Sequence, residues 1–236
     1  MSAEFIFPPP PCPSVAIAQD ARRFPVRRIF CIALNYAAHA REMGKEPAKD
    51  ASAEPPFFFT KPADAIVESG ATIPYPTLTH DLHHEIELVA ALGRGGADIS
   101  AARALDCIFG YAAGIDLTRR DLQTAARSSG RPWDMSKGFD HSAPIGAIRP
   151  VAAMGHHPTR GRISLSVNGV LRQAGDLSDL IWSVPQIIAA LSRNVALAPG
   201  DLIFTGTPSG VGPLLPGDLV EGEVEHVGSV AVSIEK

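Results

Sequence analysis

The chain has 236 residues, 45% of them apolar and 19% charged, with a formal net charge of −4 and no block of Lys and Arg. That size allows one large domain with a real core, and the acidic balance without a basic block excludes a nucleic-acid footprint. No stretch reaches the ~20 apolar residues of a membrane helix, and the start, MSAEFIFPPPPCP, lacks the basic and apolar regions of a signal peptide. Cys12, Cys31 and Cys107 form no C-x-x-C pair, which argues against a disulfide framework and against zinc. A cytoplasmic protein is expected.

Residues 1–26, proline-rich at the start, read as an arm or short capping segment, and 27–236 as a single domain. Residues 28–34 are strand-like and lead into a short helix over 35–44, closed by Gly44 at a position that favours glycine. Residues 45–56 lack any period and suit a binding loop or lid. Strands are predicted over 57–59, 65–68 and 84–92. Ser100 is placed to cap a helix to about Cys107, 108–117 reads as a buried strand, and Thr118 opens a helix to about Arg127. Between 163 and 172 the pair Asn168-Gly169 predicts a hairpin with a two-residue type I′ turn. Ser183-Val-Pro-Gln186 is a capping box with proline just inside the helix start, and helix is predicted to about Arg193. Pro-Gly-Asp turns at 199–201 and 216–218 punctuate the C-terminal strands. With 21 glycines and 21 prolines, the chain is cut into short strands and turns. The fold expected is mainly β with short peripheral helices.

Five groups carry candidate chemistry. In His83-His84-Glu85-Ile86-Glu87 the two glutamates share a strand face about 5–7 Å apart. They are either a solvated face or, since Leu88 to Leu92 read as buried, a pair neutralised by a cation. Asp116 ends an apolar run and needs a partner there, unless it caps the next helix. Three carboxylates without cysteine make an all-oxygen site, suited to Mg²⁺, Mn²⁺ or Ca²⁺. His39 and Glu42, at i and i+3 on a helix, are either a surface pair or a dyad able to deprotonate water. Lys61 and Lys137 are either surface lysines or cations that meet an enolate or a carboxylate. The segment 205–212, TGTPSGVG, lacks the ending of a phosphate loop. It reads instead as a turn whose N–H groups face a ligand carboxylate.

These pieces together resemble the fumarylacetoacetate hydrolase family, through its C-terminal catalytic domain. The residues that carry the likeness are Asn35-Tyr36 with His39 and Glu42, the Phe59-Thr-Lys-Pro62 run, and His83 to Leu88. Gly110-Tyr111 to Asp116, Thr118, Arg120-Asp121 with Gln123, Lys137-Gly-Phe-Asp140, Val167-Asn-Gly169 and 205–212 complete it. The resemblance implies a mixed β-roll or sandwich-like domain that dimerises. It also implies a metal held by Glu85, Glu87 and Asp116, with Mg²⁺ expected, and a His39–Glu42 dyad on a helical lid. Lys137 is expected to contact the substrate. Arg120, Gln123 and Lys61 would line its pocket, and Thr207 would approach its carboxylate. The activity implied is carbon–carbon hydrolysis of a 2,4-diketo acid such as fumarylpyruvate. Oxaloacetate decarboxylation and isomerisation or decarboxylation of a dienoate are the rivals within the family. A metal- or ligand-binding β protein without catalysis is the rival outside it.

Overall fold

The computed structural model describes residues 5–47 and 55–235; the middle of the loop read over 45–56 lies outside the described residues. Alternation along one strand organises the molecule. Every residue of the strand Ile86–Leu92 is buried. Ile86, Leu88, Ala90 and Leu92 enter one core, while Val89 and Ala91 enter a second core on the opposite face, as a period of two requires.

This strand pairs antiparallel with Ile108–Ile115 on one side and with Asp201–Phe204 on the other. The eight-stranded sheet built around it continues through Arg28–Ile32, parallel to Asp201–Phe204, to Phe58–Lys61. In the other direction it continues through Ala143–Ile145 to Ile66–Glu68. A five-stranded sheet, with Arg162–Val167 and Leu219–Val224 near its centre, covers the first face. Its Ile163, Leu165, Val220 and Val224 join Ile86 and Leu88 in the larger core. The second face is covered partly by an N-terminal hairpin, Ser14–Ile17 with Asp20–Pro25. Val15 and Phe24 of that hairpin meet Ile29, Cys31, Val89 and Phe204. The sequence reading placed no strand in that segment. The architecture is mainly β with short helices, as expected, and no helix among the described residues is long and apolar enough to cross a membrane.

Local signals of turn and cap chemistry appear where they were read. Asn168 (φ 52°) and Gly169 (φ 75°) both adopt the left-handed backbone of a type I′ turn, between strands Arg162–Val167 and Val170–Asp176. Gln186 Oε1 accepts from the Ser183 amide at 2.9 Å at the start of helix Val184–Asn194. The helix before Gly44 spans Ala37–Glu42. Three elements differ. The strand read over 84–92 is two strands, Leu82–His84 and Ile86–Leu92, in different sheets. Thr118 does not open a helix: Thr118–Arg119 pairs with Leu82 and His83, and helix begins at Arg120. Backbone groups there find a strand partner, which no local pattern announces. The helix after Ser100 is one turn, Ala101–Ala104, continued as a 3₁₀ turn, and the Ser100 side chain makes no cap.

Candidate active site

The break between the two strands falls at Glu85, and this positions the acidic cluster. Ile115 pairs with Ile86 and Gly114 with Glu87, and the Asp116 amide donates to the Glu85 carbonyl at 2.8 Å. Register therefore sets Asp116 across from Glu85, one step beyond the regular ladder. Oxygens of Glu85, Glu87 and Asp116 lie within 4.8 Å of one another. The three residues are 4%, 1% and 0% exposed, so no water shell separates their charges.

Cations crowd two of the three. Lys137 Nζ donates to Glu85 Oε2 (2.8 Å), Asp116 Oδ2 (2.7 Å) and Thr118 Oγ1 (2.6 Å), which uses all three of its hydrogens. Arg120 donates to Glu85 Oε1 and to the Gln123 side-chain carbonyl. Lys61 Nζ lies 2.8 Å from Asp116 Oδ1, an ion pair by distance without hydrogen-bond alignment, and donates to the carbonyls of Leu117 (3.1 Å) and Lys137. Burial alone would raise the Glu85 carboxyl, but Lys137 and Arg120 outweigh it and hold that group well below its ordinary range. Burial would likewise lower the Lys137 ammonium; Asp116 and Glu85 reverse this and keep it charged.

Glu87 is the exception. It accepts the Gly206 amide at 2.7 Å and pairs with no cation among the described residues. Burial, then the charges of Asp116 and Glu85, push its carboxyl well above the ordinary value. A buried carboxylate beside two others, with no cation of its own, lacks the charge that a hard divalent ion would bring. The donor set, three carboxylates and no thiolate, fits such an ion.

The dyad stands on the same cavity. His39, 5% exposed, has Nδ1 3.1 Å from Glu42 Oε2, and Glu42 Oε1 accepts the Gly210 amide at 2.9 Å. Because a carboxylate only accepts, Nδ1 carries the proton and Nε2 is left as the basic nitrogen. The turn over 205–212 thus aims two amides at the protein's own carboxylates, one at Glu87 and one at Glu42. The reading from sequence had them facing a ligand. Gly206 sits at φ +98°, and a Cβ there would stand 2.6 Å from Asn35 Cβ. Gly206→Ala is expected to destabilise the fold by about 2–4 kcal/mol, seen as a lower urea midpoint.

A cavity of about 460 Å³ is lined by Glu85, Glu87 and Asp116 with His39, Arg120, Gln123, Lys137 and Thr207. Two residues picked from sequence are not on its wall. Glu42 stands behind His39, and Lys61, 3% exposed, stands behind Asp116. Two further residues were not picked. Gln173 Oε1 accepts from the Ile86 amide (3.0 Å) and lies 2.9 Å from His84 Nδ1, while its Nε2 donates to Thr207 Oγ1 (2.8 Å). It ties the acidic strand to the turn that carries Thr207. Fully buried Asn35 does the same for helix Ala37–Glu42, donating to the Thr205 and Trp182 carbonyls and accepting from the Trp182 amide. Asn35 was legible only as part of a motif; Gln173, one residue beyond the hairpin read over 163–172, gave no signal.

Residues 28–235 match the family model described as fumarylacetoacetate (FAA) hydrolase C-terminal. The chain is 45% identical over 185 residues to a fumarylpyruvate hydrolase of Ralstonia sp, covering 78% of this chain and 95% of that one. It is 38% identical over 210 residues to the mitochondrial oxaloacetate tautomerase FAHD1 of Homo sapiens, covering 89% and 92%. Among solved structures, the fumarylpyruvate hydrolase of Pseudomonas aeruginosa in complex with Mn²⁺ and pyruvate superposes with a TM-score of 0.94 at 47% identity. That superposition covers 98% of this chain and 99% of the other. The chain belongs to the fumarylacetoacetate hydrolase family.

Proposed function

We propose that this member of the family is a divalent-metal-dependent hydrolase. It cleaves the carbon–carbon bond of a 2,4-diketo acid, an acylpyruvate, to pyruvate and a carboxylic acid, with fumarylpyruvate as the favoured substrate. The observation that carries the reading is the meeting of three buried carboxylates and the His39–Glu42 pair on one cavity. The relatives at 45% and 47% identity bear the hydrolase name, and one was solved with Mn²⁺ and pyruvate, the product expected here. A homodimer in the cytoplasm accompanies the reading.

Glu85, Glu87 and Asp116 would hold the ion, Mg²⁺ or Mn²⁺, with Ca²⁺ able to use the same oxygens. Bound there, it supplies Lewis-acid polarisation of the keto acid. The remaining work belongs to side chains. Glu42 fixes the His39 ring, and Nε2 takes a proton from water as the water oxygen bonds to C4 of the substrate. The C3–C4 bond then breaks, its electron pair passes to the pyruvate enolate, and the proton on His39 is available to C3. Lys137, kept charged by its carboxylate neighbours, offsets the negative charge that develops on the enolate. Contact with the enolate requires that it release one of its three present acceptors. Arg120, Gln123 and Thr207 receive the substrate carboxylate, and Lys61 acts from behind, by holding Asp116.

The test is a substrate panel of fumarylpyruvate, acetylpyruvate and oxaloacetate on enzyme treated with EDTA, before and after Mg²⁺ is restored. Pyruvate is expected from the diketo acids only when Mg²⁺ is present. Turnover confined to oxaloacetate, or hydrolysis indifferent to chelation, would replace the reading.

A further inference from the structure

Helix Arg120–Ser128 runs from the carboxylate cluster to the mouth of the cavity, and its spacing orders the polar groups along the way. Arg120, Gln123 and Arg127 stand at i, i+3 and i+7, one helical face, and all three line the cavity. Arg120 is buried against Glu85 and Gln123 is buried against Arg120, while Arg127 is exposed at the rim. Seven residues of helix advance about 10 Å. Beyond the helix the chain turns at Gly130 (φ +64°), and the Arg131 amide donates to the Ala126 carbonyl at 2.9 Å. This fold-back sets a second arginine on the same mouth. Neither guanidinium has a carboxylate partner among the described residues. Trp133, packed edge-on against Phe57 with ring centroids 5.1 Å apart, lines the same cavity.

We infer that Arg127 and Arg131 form a subsite for a carboxylate at the far end of the acyl group, so that the enzyme selects acyl chains ending in an anion over neutral ones. This rests on the proposed acylpyruvate reading and adds to it the residues that set acyl-group choice. An extended seven-carbon diacid separates its terminal carboxyl carbons by about 7 Å. A hydrogen-bond distance of about 3 Å added at each end gives about 13 Å, a span that two long arginine side chains can bracket from backbones about 10 Å apart. The aromatic wall suits a flat, conjugated segment between the ends.

Arg127→Gln, Arg131→Gln and the double variant test this on fumarylpyruvate, which ends in a carboxylate, and acetylpyruvate, which ends in a methyl group. For fumarylpyruvate, KM is expected to rise about tenfold in each single variant and about 100-fold in the double, with kcat within about threefold. For acetylpyruvate both constants should stay at the wild-type values. Calorimetry in Mg²⁺ with 2-oxopimelate and 2-oxoheptanoate, of equal length but different end groups, reads the subsite without catalysis. Wild type should prefer the diacid, and the double variant should lose that preference. Equal losses on both substrates, or a preference for the diacid that survives the double substitution, would overturn the subsite. Absence of hydrolysis of either diketo acid by wild type, with the diacid preference intact, would instead overturn the hydrolase reading.

Discussion

Replacing His39 by alanine is expected to lower kcat for acylpyruvate hydrolysis by about 10²–10⁴-fold, the range typical of a removed general base. Metal affinity should hardly change. His39 lines the cavity and pairs through Nδ1 with Glu42 rather than with the three carboxylates, which leaves Nε2 as its unprotonated nitrogen. Glu42→Gln should lose less, because the His39 imidazole remains. The new amide's single carbonyl oxygen can accept from Nδ1 or from the Gly210 amide and not from both, and it no longer supports the charge that His39 gains. The two variants together should fall little below His39→Ala alone, since they interrupt one proton path. Single-turnover measurement of pyruvate release, with Mg²⁺ binding followed by calorimetry on the same preparations, checks both halves. Full hydrolytic rate in His39→Ala would remove the dyad from the mechanism.

The second large effect is expected from Glu87→Gln, and it is confined to the metal-loaded protein. Glu87 is a buried carboxylate that pairs with no cation among the described residues, and a glutamine of the same shape can still accept the Gly206 amide. In EDTA the variant is therefore expected to be about as stable as wild type, because burial and its acidic neighbours already favour the neutral form of the Glu87 carboxyl, which the amide matches in shape. With ion present at 100 times its dissociation constant, wild type should gain about 2.7 kcal/mol through binding to the folded state alone. Glu87→Gln should gain little of this and should lose hydrolysis in step. Thermal unfolding with and without Mg²⁺ measures the contrast. Asp116 and Glu85 give a different pattern. Each already pairs with buried cations, so neutralising either leaves a lysine or arginine without its partner and lowers stability even in EDTA.

Much of the fold could be read because its signals are local. Asn168-Gly169 can take two positive φ angles in succession, and Ser183 to Gln186 satisfies a helix start by itself. The unbroken apolar run over 88–92 reads as a buried strand, and its two alternating sets do enter two cores. What was not legible depends on partners far away in sequence. Glu85 lies where the chain leaves one sheet for another, a break fixed by Thr118–Arg119 and Gly212–Leu214 pairing with Leu82–His84. The glutamates converge through that break and the register with 108–115, not through strand period alone. Lys61 illustrates the same limit. A lysine just after three phenylalanines could lie on the surface or meet a substrate anion, and only packing against Asp116, Leu117 and Lys137 shows that it is buried behind the acidic cluster. The N–H groups of 205–212 were read as pointing to a ligand. Their orientation toward Glu87 and Glu42 arises from Asn35 and Gln173, which bind that turn from two other elements.

The most direct measurement is the position of a bound ion, seen by anomalous diffraction at the manganese edge from crystals grown with Mn²⁺. A single ion coordinated by one oxygen each from Glu85, Glu87 and Asp116, with Lys137 withdrawn from between Glu85 and Asp116, is the result predicted. An ion bound elsewhere, or no anomalous peak at the three carboxylates while Lys137 keeps both ion pairs, would contradict it.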